Sequence, residues 1–196
     1  SLYHHGAFSS TDPDECLRRI NDRLTKATGE LRTLDLLVIT WGTAWVYRYT
    51  RENIVVSNCH KIPSQEFERS RLSVEDIVKE YLVLIGRLRE INPGLRILFT
   101  VSPIRHWKDG AHGNQLSKAT LLLAIDRLRE ELQHVYYFPA YEIVLDELRD
   151  YRFYADDMLH MSGFTVDYIW ERFLYSFISP EVLGLMNQIG RVNKGV

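Results

Sequence analysis

Three short apolar runs constrain this chain more than any other feature. They are "LDLLVIT" (34–40), "RILFTVS" (96–102) and "VYYF" (135–138), each nearly unbroken in hydrophobicity. Such runs suit strands covered on both faces, as in a parallel sheet. Helical patterns lie between them. Ser73 opens a long helix with Asp76 three residues on, a relative of the capping box. Ile77, Tyr81, Leu84, Leu88 and Ile91 keep one face of it until "NPG" (92–94) stops it. After the second run comes a Gly- and His-containing loop (103–115), then a helix with Leu121, Ile125, Leu128 and Leu132 on one face. Parallel strands need crossovers of about this length, so the order strand, helix, strand, helix, strand implies an α/β sheet with right-handed connections.

The flanks add smaller elements. "STDPDE" reads as a helix start, with Thr11 or Asp12 as cap and Pro13 in the first turn. That helix should run to about Thr28, with Leu17, Ile20 and Leu24 at helical spacing. "AWVYRY" and "NIVVSN" flank "TRE" as a small hairpin excursion. Helices are expected at about 140–150 and 162–177, and another from Ser179-Pro180. A chain of 196 residues fits one domain. Three parallel strands are few beside the roughly five or six of an average sheet, which points to something missing on the N-terminal side.

Charge and composition exclude several classes. The net charge is −2 with scattered basic residues, which gives no nucleic-acid footprint and no polybasic membrane patch. No apolar run is long enough to cross a bilayer. Cys16 and Cys59 are too few for a disulfide framework, and the first residues lack a signal-peptide pattern. A cytoplasmic setting is the expectation, while the missing initiator Met leaves secretion open. The seven histidines show no zinc-type spacing, so no metal or other cofactor is expected.

In open α/β sheets, ligands bind beyond the carboxyl ends of the strands. Those ends carry Gly42-Thr43, Ser102, Arg105 and His106, and the stretch "ADDMLH" (155–160) can return to the same edge. In that stretch Asp157 and His160 stand three apart. A carboxylate on one imidazole nitrogen fixes the tautomer and leaves the other as a base. Equally, Asp157 or Ser162 could cap the following helix, and Asp156 competes for the acid role. Gly42 or Thr43 could offer backbone N–H groups to an oxyanion, or simply form a tight strand exit. In "SNCHKIP" (57–63), His60 and Lys61 are candidate pocket groups ahead of Cys59, because neighbours on an extended chain point apart.

Several segments together resemble one family. "LLVITWGTAWVYRY", "VVSNCHKIPSQEF", "ILFTVSPIRHWKDGAHGNQLSKATL", "YYFPAYEIVLDELRDYRFYADDMLH" and "VDYIWERF" are similar, in order and over roughly residues 1 to 180, to the GSCFA-domain family, an offshoot of the SGNH/GDSL hydrolase superfamily. The resemblance implies a flavodoxin-like three-layer α/β/α fold and a serine-type ester or acyl hydrolase acting on a small-molecule or glycan ester. It makes His160 the base and Asp157 the residue that orients it. Met161 stands where the family often has Pro. The superfamily's Gly-x-Asn block falls at Gly42-Thr43-Ala44, so the Asn donor is absent and Asn58 or His60 is a candidate substitute. The nucleophilic block, Gly-Ser-Cys-Phe-Ala, occurs nowhere in these residues. The serine would then lie in sequence preceding Ser1, with Ser102 the best-placed serine within the chain. The first strand would also be missing, exposing a sheet edge that another segment or a second copy would cover. The alternative is a non-catalytic ligand-binding or assembly module on the same fold.

Overall fold

A computed structural model describes residues 1–194. Three strands form the main sheet: β1 (Leu36–Trp41), β5 (Arg96–Val101) and β6 (Val135–Phe138), all parallel, in the order β1-β5-β6. The remaining strands, β2 (Trp45–Tyr49), β3 (Ile54–Val56) and β4 (Phe67–Arg71), make a separate antiparallel sheet in the order β3-β2-β4. The hairpin is therefore real, but β4 extends it to three strands. "FERSR" has a single apolar residue and charged residues on both faces, which hid it from a hydrophobicity reading.

The main sheet is covered unequally. Residues of β5 alternate between two clusters. Ile97, Phe99 and Val101 pack against α2 (Val74–Ile91) and α3 (Gly110–Glu131), while Leu98 faces Tyr168, Ile169 and Phe173 of α5 (Gly163–Phe177). Central β5 is almost wholly buried after Arg96, as its unbroken apolar run requires. Among the described residues no strand pairs with the outer side of β1, and Val38 on it is 46% exposed. The exposed edge expected from the sequence is thus present.

The helix starts follow local chemistry. Asp12 caps α1 (Pro13–Leu31) by accepting the Asp14 N–H. Ser73 and Asp76 form a full reciprocal capping box on α2. Three sequence expectations need correction. On α1 only Ile20 is buried, and Leu17 and Leu24 are exposed, because α1 packs mainly on the short turn Gly6–Phe8 and reaches the main core only at its end, through Leu31. On α2 the buried stripe is Ile77, Val78, Tyr81, Ile85 and Leu88, with Leu84 and Ile91 exposed. "YLVLIG" is apolar on too many sides to fix the rotation, so packing against α3 and the sheet decides it. Helix α3 begins at Gly110, five residues before the end of the expected loop. The segment after β6 is a short α4 (Ala140–Glu142) that widens into a π-helical turn, Ile143–Leu148. A last helix, α6, spans Pro180–Lys194. No helix among the described residues is long and apolar enough to cross a membrane.

The small sheet is tied to the main body at the start of α3. Arg69 of β4 pairs with Asp109, whose side chain is fully buried, and lies over the Trp45 ring at 4.2 Å.

Candidate functional site

The carboxyl ends of β1 and β5 are held by side chains from the first turns of α3. Asn114, Ser117 and Lys118 sit at i, i+3 and i+4, and continue the buried face of Leu121, Ile125 and Leu128. Ser117 Oγ accepts the Ala44 N–H at 2.8 Å and lies 3.1 Å from Thr43 Oγ1. Lys118 is 1% exposed, and its Nζ donates to the Gly42 and Ser102 carbonyls, both at 2.6 Å. No carboxylate pairs with it among the described residues. Loss of hydration lowers its pKa to about 8.

That lysine orients the exit of β1. A trans peptide points its C=O and N–H in opposite directions. With the Gly42 carbonyl drawn inward onto Lys118, the Thr43 N–H faces away from the ammonium. Neither the Gly42 nor the Thr43 N–H has a partner among the described residues. His106 lies against this turn: a Cβ added to Gly42 would stand 3.6 Å from its Nε2. Desolvation and the nearby Lys118 charge lower the His106 pKa, so its neutral form is favoured.

The loop carrying Asp157 and His160 is pinned at both ends. Tyr154 and Met161 form an antiparallel bridge, the Ala155 N–H donates to the His160 carbonyl at 2.8 Å, and the Ser162 N–H donates to the Phe153 carbonyl at 3.0 Å. Ser162 caps α5, and buried Thr165 donates its Oγ1 proton to the Phe153 carbonyl at 2.6 Å. The loop's outer turn is organised by Asp157. Its Oδ1 accepts the N–H groups of Leu159 and His160, both at 2.9 Å, and its Oδ2 lies 2.5 Å from His160 Nδ1. These bonds, the one to the His160 side chain first, pull the Asp157 pKa down to about 2. Asp157 therefore holds His160 and its own turn, the helix cap falls to Ser162, and Asp156 makes no hydrogen bond to His160.

His160 Nε2 has no partner among the described residues, and its side chain is 63% exposed. The ring lines a groove of about 620 Å3 that runs from Val38 and Thr40 on the open sheet edge to Trp170 and Phe173 on α5. Ser102 and Thr100 lie in the same lining, and Thr100 Oγ1 is buried without a partner. A buried orphan hydroxyl costs free energy, which marks this floor as incomplete in its polar contacts.

The other expected residues divide. Arg105 contacts the His160 loop, donating to Tyr154 Oη at 3.1 Å. Of the residues expected at the site, Ser102 and His160 line the groove, whereas Gly42, Thr43, Arg105, His106, Asn58, His60 and Lys61 do not. Asn58 Oδ1 accepts the His60 N–H at 2.8 Å, and His60 Nε2 sits 2.8 Å from the Ser1 carbonyl. The turn there, with His60 at φ 50°, folds this segment onto the N-terminal residues.

The family model described as the GSCFA family matches residues 1–173. The chain belongs to the GSCFA family. No curated protein matches it. The GSCFA match spans every element just described up to the middle of α5, so the strand ends, the α3 residues beneath them and the Asp157–His160 loop all fall inside it. Sequence reasoning missed Asn114, Ser117 and Lys118 in this GSCFA chain. The available signal was periodicity: extending the face of Leu121, Ile125 and Leu128 backward by helical spacing lands on polar residues, and polar residues on a core face require partners.

Proposed function

We propose that this chain carries the acid–base half of a serine-type ester or acyl hydrolase of the SGNH kind, on a flavodoxin-like three-layer fold within the SGNH/GDSL superfamily. The observation that carries it is the Asp157 Oδ2 to His160 Nδ1 contact at 2.5 Å, with His160 Nε2 free at the rim of a groove beside the strand ends. An imidazole so held has its tautomer set and one nitrogen open for proton transfer. A serine hydroxyl attacks the ester carbonyl, His160 takes its proton, and the resulting imidazolium, stabilised by Asp157, later protonates the leaving alkoxide. Water then repeats the sequence on the acyl-enzyme. The free N–H groups of Gly42 and Thr43 are the donors for the tetrahedral oxyanion, with Lys118 holding their turn. The serine belongs to the Gly-Ser-Cys-Phe-Ala block, outside these 196 residues.

One observation favours the non-catalytic module. Ala44 stands where the superfamily pattern has Asn, and Ser117 already takes the Ala44 N–H, so that donor is lost. Turnover separates the two readings. The full-length protein is assayed on short-chain p-nitrophenyl esters beside its His160→Ala and Ser102→Ala variants. General-base loss should cost about 10²–10⁴-fold in kcat/KM, with Ser102→Ala unchanged. Equal rates for wild type and His160→Ala remove His160 from the mechanism, and loss of rate in Ser102→Ala alone moves the nucleophile into this chain.

A further inference from the structure

A second gathering of unused polar groups lies across Pro103 from the groove. Two recesses of about 250 and 190 Å3 adjoin there, sharing Arg105, Leu145 and Tyr151. Arg105 is half-buried, with its guanidinium carbon 4.5 Å from the Tyr154 ring centre, 5.6 Å from Tyr151 and 5.9 Å from Trp107. Its one hydrogen bond goes to Tyr154 Oη, and no carboxylate pairs with it among the described residues. Arg149 lines the second recess and is likewise without an acid partner there. A half-buried guanidinium without a counter-charge is costly, and ring contacts offset only part of that cost.

Two amide side chains line the first recess. Asn114 is 8% exposed, its Oδ1 accepts the His106 N–H at 3.0 Å, and its Nδ2 protons have no partner among the described residues. Gln115 Oε1 accepts the Tyr141 hydroxyl, which leaves its amide protons free as well. Asp150 alone brings acid to the lining, and it is engaged with Arg152 through both side chain and backbone at 2.9 Å. The recess therefore offers donors and positive charge, and the side-chain oxygens of Asn114, Gln115 and Asp150 are already engaged. A planar guanidinium beside an amide N–H fits a carboxylate. On the rim, Trp107 and Tyr151 are more than half exposed, and their flat faces suit the C–H face of a sugar ring.

We propose that this recess is a subsite for a carboxylate-bearing sugar, a uronic acid residue, with Arg105 and Asn114 on the carboxylate and Trp107 and Tyr151 against the ring. Binding here requires no step at His160. Taken with the hydrolytic reading, on which this last clause rests, the substrate becomes an ester carried on an acidic saccharide.

The test is calorimetric titration of the whole protein with galacturonate oligomers, with neutral galactose oligomers of the same length, and with benzoate and inorganic phosphate. The uronate should bind at least about tenfold tighter than each of the others. Asn114→Asp keeps the acceptor for the His106 N–H and adds a negative charge, so it should weaken uronate about tenfold or more. Arg105→Lys should do likewise, and the exposed-charge control Arg127→Ala should leave affinity unchanged. Melting curves establish that each variant is folded, and Trp107→Ala replaces Arg105→Lys if that variant is not. Neutral sugar binding as tightly as uronate, benzoate or phosphate matching it, no uronate binding at millimolar concentration, or a folded Asn114→Asp variant with full affinity overturns the proposal. Ester turnover on the same proteins is scored separately, so a chain that binds uronate without hydrolysis refutes only the hydrolytic reading.

Discussion

Replacing Lys118 with Met keeps an unbranched stem of matching length up to Cε and removes the ammonium that joins the Gly42 and Ser102 carbonyls. Two hydrogen bonds from a charged donor are lost, roughly 1.5–3 kcal/mol each. Against that, the native state no longer holds an ammonium out of water. The fall in pKa from 10.5 to about 8 sets that relief at roughly 3 kcal/mol. Near neutral pH the variant should thus be less stable by up to roughly 3 kcal/mol. The pH dependence is the sharper measurement. Below about pH 8 both folded and unfolded chains hold the Lys118 proton, and the folded state bears the full burial penalty. Between about 8 and 10.5 the unfolded chain still binds a proton that the folded chain has lost, so wild-type stability rises with pH. The Met variant lacks this rise. Urea unfolding followed by tryptophan fluorescence gives both stabilities. The gap between wild type and variant should widen by about 2–3 kcal/mol from about pH 7 to about pH 10.5. A gap that stays constant across that range would refute the claim that an unpaired, dehydrated ammonium holds the two strand ends.

The core should answer to size. Phe99 is fully buried between Trp41 and Tyr81, with ring centres at 4.8 and 5.6 Å, so Phe99→Ala should cost about 3–5 kcal/mol in the same unfolding experiment, and a loss below about 1 kcal/mol would contradict this packing. The Asp157 turn should answer to acid. Its pKa is depressed in the folded state, so its contribution is complete above about 3.8 and fades as pH falls toward about 2. The amide resonances of Leu159 and His160 should move with a midpoint near 2, should not show that transition in Asp157→Asn, and would exclude the charged hydrogen bonds if the midpoint lay at an ordinary carboxylate value.

The parallel strands were legible within one or two residues because a strand buried on both faces must be apolar throughout, and few other elements of that length are. Capping is chemistry between neighbours in sequence, so Ser73 was legible outright and Asp12 and Ser162 were each one of two candidates. The spacing of Asp157 and His160 left pairing and helix capping both open, and the contact in the structure selects pairing. The buried stripe of α2 was not, because Val83, Leu84 and Ile85 offer three apolar directions and only the neighbouring helix and sheet select one. His60 and Lys61 were misplaced because a left-handed turn at His60 sends that segment to Ser1 and Leu2, a direction that sequence patterning leaves free.

The sequence by itself determined the class of sheet, the crossovers and the long helices, since each depends on residues within a few positions or on a pattern the whole element repeats. Tertiary structure alone decided that Lys118 of α3 reaches two carbonyls 76 and 16 residues away and that Asn114 Oδ1 takes the His106 N–H. Periodicity marks Asn114 and Lys118 as facing the core but carries no trace of the distant groups they meet. Those contacts are fixed only when burial forces each polar group on a core face to find a partner.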